Sequence, residues 1–292
     1  MQSPYLLLAA IAVALVLVQI NHRFGSPIIS IVDRWLRWFV FAFLAAQVCH
    51  DFQLIDRPYW VLAAAFFLLW FLGETLYNWL AISALSVSPL PLFPRYALNH
   101  SGEEWPVQPR FLKIRGWLRA QGFRQAQSLK MEIGGGIYLR VSIYQDPLGT
   151  VRIQVTFFPQ ANGSIVVCYG LTSVTADGAR YVTDNFNSPF AGFYPENWLV
   201  ERRPWCRSLP RLLVRHRSRL AASGVFPAPF PVEPLADLNA MQSELDRLNT
   251  ELGFLHPQNE REDLGKITQE GRYRVWKEIW MLKYLGRSAR YQ

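Results

Sequence analysis

The sequence predicts a multi-pass membrane protein. Three transmembrane helices lead into a cytoplasmic α+β domain, an antiparallel five-stranded meander sheet with helices packed on one face and a helical C-terminal extension. Three observations predict it. Residues 1–87 hold three apolar stretches, residues 129–184 alternate apolar and polar side chains with period two, and net charge is confined to the later part of the chain. Of 292 residues, the first 90 carry four basic and four acidic side chains, while residues 91–292 carry 26 basic and 18 acidic, so the whole +8 lies there. An apolar fraction of 51% excludes disorder, and three scattered cysteines exclude a disulfide scaffold.

The membrane domain is expected over 1–87, with helices at about 4–20, 30–50 and 58–80. Residues 4–20 lack charge over 17 positions, the lower limit for crossing a hydrocarbon core of about 30 Å. No basic side chain precedes them, so they read as a retained helix rather than a cleaved signal peptide. The second stretch starts at Pro27, a favoured first helical position, and Arg34 and Arg37 can snorkel to headgroups. Tyr59, Trp60, Tyr77 and Trp79 bracket the third as an interfacial belt. Loop 21–37 holds Arg23, Arg34 and Arg37, whereas loop 50–57 holds Arg57 alone. The positive-inside rule then predicts a bacterial-type inner (cytoplasmic) membrane, with the N-terminus outside and the C-terminal domain cytoplasmic. Intramembrane Glu74 has three readings: an interfacial helix end, a hydrogen bond to a neighbour such as Gln47 or Thr75, or a proton or ion relay.

Residues 88–109, with five prolines, read as a linker, and 110–224 as the α+β domain. A helix over 110–121 ends at Gly122. Strands follow at 129–133, 137–145, 151–157, 165–175 and 180–184, joined by turns such as Asp146–Gly149. The aromatic, proline-containing segment 185–205 either lines a pocket or packs over the sheet edge.

From Arg202 to Val232 there are seven arginines and no acid. On the helix expected over 207–222, Arg207, Arg211, Arg215 and Arg219 form one ridge, while Leu209, Leu212, Leu213, His216 and Leu220 share the opposite face. Like charges four residues apart destabilise a helix by about 0.2–0.5 kcal/mol per pair. An anion from elsewhere would relieve them: anionic lipid headgroups, acids within 233–263, or a partner protein. A plainly solvated face is the alternative. Arg202 and Arg203 extend the cluster, and His216 reads as a satisfied core histidine.

The last region, 225–292, is expected to hold a proline-rich spacer and C-terminal helices. Leu238, Met241, Leu245, Leu248 and Leu252 form a short seam over 235–252 that either packs on the sheet or pairs with a second copy. Residues 272–285 are apolar nearly all round and should be clasped by other elements, membrane or partner. No phosphate-binding glycine loop, metal-ligand spacing or nucleophile elbow occurs, so no catalytic residue, metal or cofactor is predicted. Nucleic-acid binding is disfavoured because no recognisable module accompanies the charge. The sequence therefore points to a non-catalytic protein, tethering a basic domain at the bilayer for partner-protein or anionic-lipid binding. The alternative is a membrane-bound enzyme for a lipid-linked or membrane-proximal substrate, using the 185–205 segment with His216, Asp184 or Glu196.

Overall fold

The structure is a computed structural model and describes residues 4–24, 26–101, 105–134, 136–160 and 163–289. Its first elements are α1 (Pro4–Phe24), α2 (Pro27–Asp51), α3 (Tyr59–Val87), β1 (Tyr96–Leu98) and α4 (Pro109–Ala120). Strands β2 (Arg124–Gly134), β3 (Ile137–Gln145), β4 (Arg152–Pro159), β5 (Ile165–Thr175), β6 (Arg180–Asp184) and β7 (Trp198–Arg202) follow. The remainder is α5 (Leu209–Ala222), β8 (Pro227–Ala228), α6 (Pro234–Glu251), α7 (Arg261–Leu264) and α8 (Gln269–Trp280), which continues as a π turn over Met281–Leu285. Two compact units emerge: a helical one, Met1–Ser86 with Arg272–Arg290, and an α+β one built from Val87–Gly271.

The three-span, multi-pass expectation is corrected by the helical unit. Among the described residues only α3, at 29 residues, is long and apolar enough to cross a membrane. Among the described residues α1 offers the shorter apolar stretch Leu8–Asn21. The first turns of α2 carry Asp33, Arg34 and Arg37, and Asp33 is buried and paired with Arg37 at 2.9 Å, so charge occupies what a span would need as apolar length.

Inside this unit α3 presents a polar row at helical spacing, Glu74, Asn78 and Ser86, to the C-terminal segment. Glu74 accepts from Trp70 Nε1 at 3.2 Å and from the Tyr284 hydroxyl. Asn78 Oδ1 accepts from Lys283 Nζ at 3.2 Å, and Ser86 Oγ from Arg272 at 3.5 Å. Trp280 and Tyr284 stack at 4.4 Å and pack on Trp38, while Trp35 Nε1 donates to the Tyr284 carbonyl at 3.2 Å. Residues 272–285 are thus clasped by α2 and α3, which is how a segment apolar all round is accommodated.

The sheet of the α+β unit runs β1-β2-β3-β4-β5-β6-β7, with β8 paired to the end of β5. It is mixed: β6 and β7 are parallel, joined through residues 185–197, and the other pairs are antiparallel. This corrects the five-stranded antiparallel meander, which lacked β1, β7 and β8. Helices lie on both faces, not one, because of register. Ile143 pairs with Gln154 and Val141 with Thr156, so the apolar residues of β3 and β4 point to opposite faces. The turn between them sets this register: Asp146 Oδ1 accepts from the Thr150 and Val151 amides at 2.7 and 2.9 Å, and Gly149 takes φ +69°. Ile153, Val155 and Phe157 join Phe111 and Leu118 of α4 and Leu209, Leu212 and Leu213 of α5 in one core. Leu129, Val141 and Ile143 form the other with Tyr96 and Leu238 of α6.

Two asparagines stitch α6 down. Asn239 exchanges hydrogen bonds with the Tyr96 backbone at 2.8 and 3.0 Å, and Asn249 does the same with Phe193 at 2.7 and 3.0 Å. A side chain on Gly192 would strike Asn249 Oδ1, so that glycine permits the clamp. Asp237 of α6 reaches the sheet, accepting from Arg180 at 2.7 Å and from Arg152, whose guanidinium lies 3.9 Å from the Phe230 ring centroid.

Candidate anion-binding site

The arginine-rich run from 202 onward is mostly tied up by acids that the sequence reading passed over. Glu201 on β7 accepts from Arg203 at 2.5 Å, Arg215 at 3.0 Å and Arg219 at 2.9 Å. Partial burial pushes the Glu201 carboxyl up, but hydrogen bonds from Arg215 and Arg203 outweigh it and hold it below its ordinary value. Arg219 also donates to the carbonyls of Val182 and Leu199 at 2.7 and 2.8 Å. Arg202 donates to buried Asp184 at 3.0 Å and to the Ser188 carbonyl at 3.0 Å. Arg207 and Arg211 are exposed, and among the described residues Arg211 and its neighbour Arg217 meet no carboxylate. Of the acids within 233–263, Asp237 takes the sheet arginines Arg152 and Arg180.

His216 lies fully enclosed between the Ser173 hydroxyl, 3.0 Å from Nε2, and the Thr183 hydroxyl, 2.9 Å from Nδ1. Burial, followed by the nearby Arg219 and Arg217 charges, lowers its pKa to about 4, so it is neutral at physiological pH. It clasps α5 to the sheet and has no route to solvent for proton transfer. Asp184 is engaged by Arg202, and Glu196 is exposed.

A cavity of about 990 Å³ opens elsewhere in the α+β unit, against the segment leading into β1, the β2–β3 hairpin, α6 and the residues after it. Arg95, Lys130, Arg247, Arg261 and Lys266 face it, against the carboxylates Glu132 and Asp246. Their pairings decide which charges count. Arg261 donates to Asp246 at 3.1 Å, and Arg247 is held by Glu244 and Glu251 at 2.7 and 2.6 Å. Lys130 sits 4.9 Å from the Tyr138 ring centroid, Arg95 donates to Ser243 Oγ at 3.3 Å, and Lys266 donates to the carbonyls of Ser88 and Leu90. Among the described residues none of these last three meets a carboxylate. Among the described residues three unpaired cations therefore face the cavity against one unpaired carboxylate, Glu132.

The local folding that builds this wall is legible. Gly134 takes φ +102°, and a side chain there would collide with Leu90, so the proline-containing segment 89–93 lies directly on the hairpin. By local pattern 88–109 reads as a linker, and nothing in the sequence distinguishes Arg95 or Lys266. Their convergence depends on contacts between segments more than 100 residues apart, for which no local pattern exists. Among the described residues no three His, Cys, Asp or Glu side chains gather as metal ligands. No family model, curated protein or solved structure matches the chain.

Proposed function

We propose that this chain is a non-catalytic, membrane-associated protein that holds its basic α+β unit at a bilayer and binds anionic lipid headgroups there. One observation carries the reading. Along α3, Trp60, Leu68, Leu72, Leu76 and Leu80 stay 59–72% exposed, and two residues beyond its end Pro89 begins the lining of a cavity with uncompensated cations. Bare apolar side chains on this scale call for lipid or a partner to cover them. Cations near an anionic leaflet gain about 1 kcal/mol each. Arg95, the basic residue that follows α3 at short range, supports a cytoplasmic location for the α+β unit on a bacterial-type inner membrane. A partner protein carrying an acidic patch is the second reading, favoured by exposed Arg211 and Arg217, which lack a carboxylate partner among the described residues.

Flotation tests the proposal. The full chain should float with vesicles containing phosphatidylglycerol at low salt, bind less as salt rises, and stay in the lysate membrane fraction after an alkaline wash. Release by alkali together with equal recovery on phosphatidylcholine and phosphatidylglycerol vesicles would reject it.

A further inference from the structure

The cavity's lining specifies more than negative charge. Arg95, Lys130 and Lys266 come from three separate segments, and each is held in place by something other than an acid: a serine hydroxyl, an aromatic face and two backbone carbonyls. A single carboxylate needs one such partner, whereas a phosphate group presents several oxygens to several donors at once. At about 990 Å³ the cavity greatly exceeds free phosphate and lies at the upper end of small-ligand sites. Leu92, Phe93 and Tyr138 supply apolar surface beside the cations. Glu132 stands in the same lining and, among the described residues, has no cation partner, so it repels a bare anion and accepts from a hydroxyl or ammonium group.

We infer that this cavity binds a phosphate ester bearing a hydroxyl or ammonium group close to the phosphate and an apolar body behind it. Lys130 and Arg95 take the phosphate, Lys266, whose three N–H groups go to Ser88 and Leu90, adds its charge nearby, and Glu132 takes the neighbouring donor. Both a glycerophospholipid headgroup and a soluble sugar or glycerol phosphate have this chemistry. The assignment of lipid as source rests on the membrane reading above; the assignment of the cavity does not.

The test uses the full chain in detergent micelles, titrated by calorimetry with sn-glycerol 3-phosphate, phosphoethanolamine and inorganic phosphate, and in parallel by flotation with phosphatidylglycerol vesicles. Glycerol 3-phosphate should bind saturably and more tightly than inorganic phosphate. Lys130→Gln and Arg95→Gln should each weaken it about tenfold or more, and Glu132→Gln should narrow its advantage over inorganic phosphate. Arg211→Gln, on another part of the unit, should bind as the parent does. Among the described residues the Lys130 side chain makes only a ring contact, so its loss leaves the fold intact and keeps the test meaningful if Lys266→Gln fails to fold. Soluble ester binding that these variants abolish, without vesicle binding, upholds the cavity and overturns the lipid source. Vesicle binding that the cavity variants leave unchanged, with no soluble ester bound, overturns the cavity and leaves the membrane reading standing.

Discussion

The α5–β7 face and the cavity both gather positive charge, and they use it in opposite ways. On the first, arginines that crowd together in sequence converge on Glu201, so the cluster serves to fasten α5 and β7 to the sheet. At the second, cations scattered over the chain end up around one hollow where, among the described residues, Glu132 is the one unpaired acid against three of them. Density of charge along a sequence therefore says little about charge left for a ligand; what matters is which acids reach it in the fold. Buried or half-buried guanidinium groups acquire partners because the desolvation penalty demands it. Exposed or rim cations escape that demand.

The largest effect should come from removing an acid that fastens buried arginines. In Asp237→Ala, Arg152, with its side chain 3% exposed, and Arg180, at 14%, lose their shared carboxylate. A loss of about 3–5 kcal/mol in urea unfolding is expected. A loss under 1 kcal/mol would break the claim that Asp237 fastens Arg152 and Arg180.

A smaller effect should follow pH. His216 has its folded pKa lowered from 6.5 to about 4, so the unfolded chain binds the extra proton in that window. The stability this contributes is present above about pH 6.5 and lost as pH falls toward 4, amounting to about 3 kcal/mol. His216→Gln should flatten that part of the profile of unfolding midpoint against pH. A variant profile parallel to the parent's would show that the imidazole is not enclosed as described.

The smallest effects sharpen the contrast within the arginine cluster itself. Glu201→Gln should cost about 1–2 kcal/mol, a figure reduced because Arg203 and Arg215 are 48% exposed. Arg211→Gln should stay within about 0.5 kcal/mol of the parent. Equal losses in the two variants would erase the distinction between arginines that hold the fold and those that do not.

Much of the fold is readable from side-chain period, and the limits of that reading are physical. Alternation locates β2 to β6, and the apolar face expected on α5, Leu209, Leu212, Leu213, His216 and Leu220, is entirely buried. Alternation cannot give the phase between neighbouring strands, however, and the Asp146 turn sets β3 and β4 out of phase, so one sheet feeds two cores. β7 was invisible because Trp198–Arg202 sits in an aromatic, proline-rich segment and pairs in parallel, without a hairpin signal. Missing β7 also hid Glu201, one residue before the acid-free run began. In the helical unit, hydropathy averaged over α1 and α2 concealed Asp33 and its pairing. The candidate site itself was barely legible, since Lys130 and Tyr138 carry ordinary strand alternation and Lys266 lies in a polar stretch.

The polar row on α3 also has a history in time. Tyr284, which meets Glu74, follows it by 210 residues. At typical rates of synthesis that separation corresponds to roughly 10–40 s during which Glu74 has been made and its partner has not. Over that interval the row must be met by water, by a chaperone or by some other transient neighbour. The helical unit therefore starts to be made before the α+β unit and is finished after it.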